Sequence, residues 1–355
     1  MNKHFTFFIL AVITLLYAAQ NISAIEYHFV ELGTLGGTES DARDINNSGQ
    51  VVGSSYTVDA KFSHAFLYQS GIMTDLGVLP GGNSSNASGI NDAGQIVGSS
   101  NIPNASAAFI YESGTMQNLT SGMPDIVHSG ATKINNAEQI VGLVYSTTDW
   151  YAYIYESGTL TDLGGNAFNA YDINDLGQVV GVTTNTASQT RGFVYDSGTI
   201  TEIGTLGGDM SAAHGINNVG QIVGYAKTSN GDLHAYLCVM GMLSNLGTLG
   251  GPSSAALDIN ESGQIVGHSE ISPNEFHAFL FENGIMKDLN DFIDPSLDFT
   301  AVYGLAINDR GDIVGQGINS DGFRRGFVLY AVPEPTTIFL SLIGAGSLFI
   351  KRRMK

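Results

Sequence analysis

Cysteine, tryptophan and basic side chains are nearly missing from this 355-residue chain. The single cysteine, Cys238, excludes an internal disulfide, so packing and hydrogen bonds alone must hold the fold. The single tryptophan, Trp150, excludes a repeating indole platform for stacking sugars. Between Ile25 and Tyr330 there are 32 Asp and Glu against nine Lys and Arg, a net charge of −23. A field of that sign repels nucleic acid and anionic lipid, and neither is an expected partner. Long hydrophobic runs are absent too: the stretches at the two ends reach 15 residues each, where a permanent membrane span needs about 20. No G-x-S-x-G elbow, H-E-x-x-H, P-loop or G-x-G-x-x-G cradle occurs, so no catalytic residue is assigned and no cofactor is expected.

What the chain has in excess is glycine, 45 residues, together with 43% hydrophobic residues. Without a Gly-X-Y period, that combination suits short strands joined by tight turns. The phrase Asp44-Ile-Asn-Asn-Ser-Gly-Gln-Val-Val-Gly53 recurs in variant form, with its Ile at 45, 90, 134, 173, 216, 259 and 307. Each recurrence lies in a unit of about 43 residues, and seven units tile the chain from about Glu26 to Tyr330 without remainder.

Aligning the units gives columns with physical content. Phe66, Phe109, Tyr153, Phe193, Tyr236, Phe279 and Phe327 are all aromatic, and their neighbours one and two positions on are apolar in nearly every unit. A strand apolar on both faces is sandwiched between two layers. Cys238 falls in one of these core columns and reads as buried filler. The position before the aromatic is only Ala or Gly, which implies a close neighbour. Gly53, Gly98, Gly142, Gly181, Gly224, Gly267 and Gly315 each close a second strand, marking a bulge or a close backbone approach. The Met73-Thr-Asp-Leu76 segment alternates and reads as an exposed strand, and the segment before each Ile-Asn supplies a fourth. Four short strands per unit predict an all-β, seven-bladed β-propeller. Tyr27–Gly33 aligns with the exposed strand, so it would complete the last blade and clasp the ring.

The repeated phrase admits two readings. Asp44, Asn46, Ser48 and Gly49 have the order of the first half of a calcium loop, and Asp258, Asn260, Ser262 and Gly263 repeat it. Against calcium, four units carry Gly89, Lys133, Gly215 or Ala306 at the first position, and Ser55 stands where the bidentate Glu belongs. Asn is common to all seven units and a turn Gly to six, which are the residues a type I turn leading into a strand needs. The turn is the preferred reading. A His column (His64, His234, His277) is otherwise Ala, Tyr or Arg and reads as an exposed strand end without a second ligand. Carboxylates are spread along the chain, and no pair can be assigned to one site.

The ends read as addresses. Lys3, an apolar run from Phe5 to Ala19 and small residues up to Ala24 make a secretory signal peptide, residues 1–24, cleaved after Ala24. At the other end, Pro333-Glu334-Pro335 stops the folded part, an apolar stretch runs from Thr336 to Ile350, and Lys351, Arg352, Arg353 and Lys355 follow. Residues 332–355 thereby resemble the PEP-CTERM sorting signal of Gram-negative bacteria. The resemblance implies processing by an exosortase-type enzyme, export across the inner membrane, membrane contact only through the C-terminal helix, and a place at the cell surface or in an exopolysaccharide matrix. The units of the middle domain, residues 25–331, resemble the HAF family of extracellular repeats, named for a tripeptide found here at 64–66 and 277–279. That resemblance implies secretion and a propeller-like fold, and carries no defined catalytic residues. The expectation is an exported, non-enzymatic scaffold for an extracellular polysaccharide or surface protein, its specificity in variable loops such as 55–63 and 182–190. Two alternatives stand beside it: a polysaccharide hydrolase or lyase with its site in the channel, and a purely structural matrix protein.

Overall fold

The computed structural model describes residues 26–59 and 61–332. The signal segment with its cleavage point at Ala24, the Pro333-Glu334-Pro335 motif, the apolar stretch and the Lys351, Arg352, Arg353, Lys355 tail lie outside the described residues.

The described chain is all-β apart from two short 3-10 turns, Leu289–Phe292 and Pro295–Leu297. Its pattern is set in the first repeat by β1 (Glu26–Glu31), β2 (Gly36–Ile45), β3 (Val51–Thr57), β4 (Ser63–Gln69) and β5 (Ile72–Asp75). Strands β2 to β5 form an antiparallel sheet in chain order, and the following repeats do the same. Among the described residues there are six sheets, none closed on itself; five have four strands, and one has eight because a single parallel bridge, His128 to Ser106, joins two repeats. β1 stands beside Arg324–Val332 at the edge of the last sheet. Within residues 29–330, which form one structural unit, that junction is held by Leu32 N–H donating to Gly326 O at 2.9 Å, by an Arg325–Glu31 ion pair at 3.1 Å and by the Phe29 and Phe327 rings.

The columns resolve as packing. All seven aromatics of the Phe66 column are buried to within 1%. The residue before each has no room to grow: a Cβ on Gly326 would meet Ala42 N at 2.9 Å, and one on Gly192 would meet Ala213 N at 3.0 Å. That tight approach lets the backbone N–H of Ala65 reach the Ser85 hydroxyl of the next repeat at 2.8 Å, and Ala108, Gly192, Ala235 and Gly326 make the same bond to Ser129, Ser211, Ser254 and Ser40. The strand-closing glycines answer to a bulge. Pairing slips between Ala42 and Asp44, and Gly53 faces the displaced Asp41 carbonyl, where a Cβ would lie 1.9 Å away. β5 is largely exposed, as its alternation predicts, and Cys238 is buried. The longest spacing, into the last repeat, is taken up by the two 3-10 turns.

Candidate functional site

The innermost strand of every repeat delivers the same four columns to a common axis. The Asn of the repeated phrase does two things there. Asn46 Oδ1 accepts from Ser48 N–H at 3.1 Å and Gln50 N–H at 3.0 Å, and Gly49 N–H donates back to Asn46 O, which is the turn expected from sequence. Its amide group then donates to Gln50 Oε1 at 2.7 Å and to the backbone carbonyl of Asn91, in the next repeat, at 3.0 Å. The same outward bond runs from Asn91 to Asn135, Asn135 to Asn174, Asn174 to Asn217, Asn217 to Asn260, Asn260 to Asn308, and from Asn308 back to Asn46 at 3.0 Å. Seven side chains thus form a closed circuit of hydrogen bonds. One position on, a second circuit runs through Asn47, Asp92, Asn136, Asp175, Asn218, Glu261 and Asp309, each backbone N–H donating to the next side-chain oxygen. Buried backbone groups facing an axis must find partners, and a repeated amide supplies donor and acceptor at once.

The column before each Ile-Asn lies deeper and is charged. Asp44, Lys133, Asp172 and Asp258 converge, and the other three members are Gly89, Gly215 and Ala306. The small residues make the room: a Cβ on Gly89 would sit 3.0 Å from Lys133 Cα, and one on Gly215 3.1 Å from Asp258 Cα. Lys133 Nζ donates to Asp44 Oδ1 at 2.8 Å. Asp44 Oδ2 accepts from Ile90 N–H at 2.9 Å. Asp172 takes Ile173 N–H at 2.9 Å and Ile216 N–H at 2.8 Å, one on each oxygen, and Asp258 takes Ile259 and Ile307 N–H, both at 2.8 Å. Each carboxylate therefore ties its own repeat to the next.

These groups titrate abnormally. Burial pushes the Asp258 carboxyl up, and repulsion from Asp172 and Asp44 adds to it against the pull of Lys133, leaving it at about 7. Asp172 is raised as well, again chiefly by burial and against the attraction of Lys133. For Lys133, burial works downward, but Asp44, Asp258 and Asp172 together with the Asp44 hydrogen bond outweigh it and hold the ammonium above its ordinary value. Beyond this layer, away from the Asn turns, a vestibule of about 310 Å3 is walled by Arg43, Ser88, Thr132, Tyr171, His214, Leu257 and Leu305. The His214 ring stacks on Tyr171 (centroids 4.4 Å apart, 8° between planes), and burial, with a smaller push from His268, holds it down at about 4, so it is neutral at pH 7.

The calcium candidates are placed by the same bonds. Asp44 points to the axis, and the cation it meets is the Lys133 ammonium. Asn46 and Asn260 spend their oxygens on the N–H groups of Ser48, Gln50, Ser262 and Gln264, and Asp258 spends both of its own on backbone. Among the described residues no three His, Cys, Asp or Glu side chains converge to hold a metal ion. Carboxylates that the sequence could not assign to a common site share one here, and Lys133, which breaks the calcium pattern, is its centre. One reading needs correction: His64 is not a strand end without a partner, since Nδ1 meets Asp75 Oδ2 at 2.8 Å, and His277 meets Asp288 at 2.5 Å. Each pair is 11 residues apart across a two-strand hairpin, a spacing visible in the sequence.

No family model and no curated protein matches this chain. Among solved structures it is similar to a puromycin-hydrolyzing peptidase from Mycobacterium tuberculosis, with a TM-score of 0.58 and 12% identity over 84% of this chain and 52% of that one. The chain thus spans about half of the peptidase's length. It is also similar to TolB from Acinetobacter baumannii (TM-score 0.44, 14% identity, 76% of each chain) and to a sialidase from Trypanosoma rangeli (TM-score 0.39, 11% identity, 93% and 62%). At 12% identity the likeness to the peptidase is one of fold. No helix among the described residues is long and apolar enough to cross a membrane. Four-stranded antiparallel sheets set around an axis, each presenting its first strand inward, make an all-β, β-propeller-like architecture.

Proposed function

We propose that the chain is an exported, non-enzymatic, seven-bladed β-propeller that works as a binding scaffold at the cell surface or in an extracellular matrix, sorted through its C-terminal signal. The observation that carries this reading is how the axis is used. The carboxylate oxygens of Asp172 and Asp258 are taken by backbone N–H groups, and Asp44 is shared between Lys133 and Ile90. Groups committed in this way close the ring of blades, and a general acid or base needs an oxygen within reach of substrate. Recognition then falls to the loops at the opposite end of the strands, where the repeats differ. The partners that fit are an extracellular polysaccharide or a surface protein, with an exosortase-type enzyme acting on the tail.

One observation favours the alternative, a polysaccharide hydrolase or lyase. A carboxyl titrating near 7 beside an ammonium and a 310 Å3 vestibule is the kind of pairing acid–base catalysis uses. The sorting part of the proposal is tested in the native host by replacing Pro333, Glu334 and Pro335 with alanine and following the protein by cell fractionation. The expected outcome is loss of C-terminal processing and retention in the inner membrane. Unchanged processing and location would sink it.

A further inference from the structure

A second cavity lies away from the axis, where the loop after β3 meets the connection between the first two repeats. It measures about 620 Å3, and the residues that matter in it are Val58, Asp59, Phe62, His64, Asp75 and Asn83. Val58 and Phe62 are 82% and 36% exposed, apolar side chains that the fold leaves in water. His64 is held from behind. Asp75 Oδ1 accepts Gly77 N–H at 2.7 Å, and its two oxygens lie 3.0 and 2.8 Å from His64 Nδ1. A carboxylate on Nδ1 places the proton there, which makes Nε2 an acceptor when the ring is neutral. Among the described residues Nε2 makes no hydrogen bond. Asp59 Oδ1 takes the Thr57 hydroxyl at 2.7 Å and Lys61 N–H at 3.3 Å, which leaves Oδ2 for another donor. Thr57 first and Lys61 after it hold the Asp59 carboxyl below its usual value, so it is ionised at neutral pH. Asn83 Oδ1 is bonded to the Asn101 amide, and its own NH2 remains a donor.

Resting on the scaffold reading above, we propose that this cleft is a glycan subsite that takes a neutral sugar residue of a polysaccharide. A pyranose ring has an apolar C–H face and a rim of hydroxyls that both donate and accept. Phe62 and Val58 match the face, His64 Nε2 and Asp59 Oδ2 accept from the rim, and Asn83 donates to it. The charge of the domain selects against uronate and sulfated chains, because −23 repels polyanions at the approach.

The test is calorimetric titration of the full-length protein with hexasaccharides of glucose, galactose and mannose and with a hexauronate. The expected result is binding of at least one neutral probe, weakened about tenfold or more by Phe62→Ala and by His64→Ala. His277→Ala, which removes the equivalent imidazole in the sixth repeat, leaves that affinity unchanged. Neutral-probe binding that neither cleft variant alters overturns the cleft and leaves the scaffold reading standing. Tighter binding of the hexauronate overturns the ligand class. Failure of the wild-type protein to bind any neutral probe overturns the cleft and the polysaccharide reading together.

Discussion

Lys133→Ala is expected to cost about 3–5 kcal/mol of unfolding free energy at pH 8, because it strands buried carboxylates without their counter-charge. Asp44 is 2% and Asp172 6% exposed, and their nearest cation is this one ammonium. The loss should shrink at pH 5, and the sign follows from proton linkage. The Asp258 carboxyl is raised from 3.8 to about 7 in the folded protein, so between those values the native state binds the extra proton. Its contribution is therefore most favourable below pH 4 and is lost as pH rises toward 7. Without Lys133 the Asp258 carboxyl moves further up, so the variant's deficit against wild type grows as pH rises past about 7. Urea unfolding at pH 5 and pH 8 reads both numbers. Adding Asp44→Asn in the same chain should recover part of the loss. A deficit below about 1 kcal/mol at pH 8, or one independent of pH, would show that the ammonium is not what balances the axis.

Gly98→Ala is expected to cost about 3 kcal/mol or more although it adds only one methyl group. The new Cβ would lie 2.0 Å from the Asn86 carbonyl oxygen and 2.9 Å from Ala87 Cα. Both are backbone atoms of the paired strand, at the slip in register between Ala87 and Gly89, so neither can swing away as a side-chain tip would. Gly114→Ala is the control. Its φ is +80° and nothing lies within 4 Å of its added Cβ, so only left-handed strain applies, about 1 kcal/mol. Urea midpoints of the two variants should differ accordingly; equal midpoints would mean that the strand-closing glycines are conserved between repeats for conformation and not for contact.

Much of this was legible because a repeated chain is its own comparison. The Phe66 column announced a sandwiched strand, the Gly53 column a close approach, and Asn46 a turn, each from one residue type held constant while its neighbours changed. The place of β1 at the edge of the last sheet was readable from its match to the exposed strand β5. What escaped was the part of the structure made by difference. Asp44, Lys133, Asp172 and Asp258 occupy one column, but their meaning lies in contacts across the axis between distant repeats, as between Asp44 and Lys133, 89 residues apart in the chain. Read along the chain, Lys133 looked like a failed cation ligand; across the axis it is the cation. Gly89 and Gly215 looked like further failures, yet they are small because their neighbours' backbones stand beside them. The second role of Asn46, donating to the next repeat, was hidden because a turn already explained its presence. The His64–Asp75 pair is written in the sequence as an 11-residue spacing into the following strand that recurs at 277 and 288.

On the proposed reading the charged axis holds the repeats together and does no chemistry. The most direct measurement is release of reducing ends and of unsaturated products from neutral and acidic polysaccharides incubated with the full-length protein between pH 5 and 8. No release above buffer is expected, from the wild type or from Asp258→Asn. Release by the wild type that Asp258→Asn abolishes, while urea unfolding shows the variant folded, would contradict it.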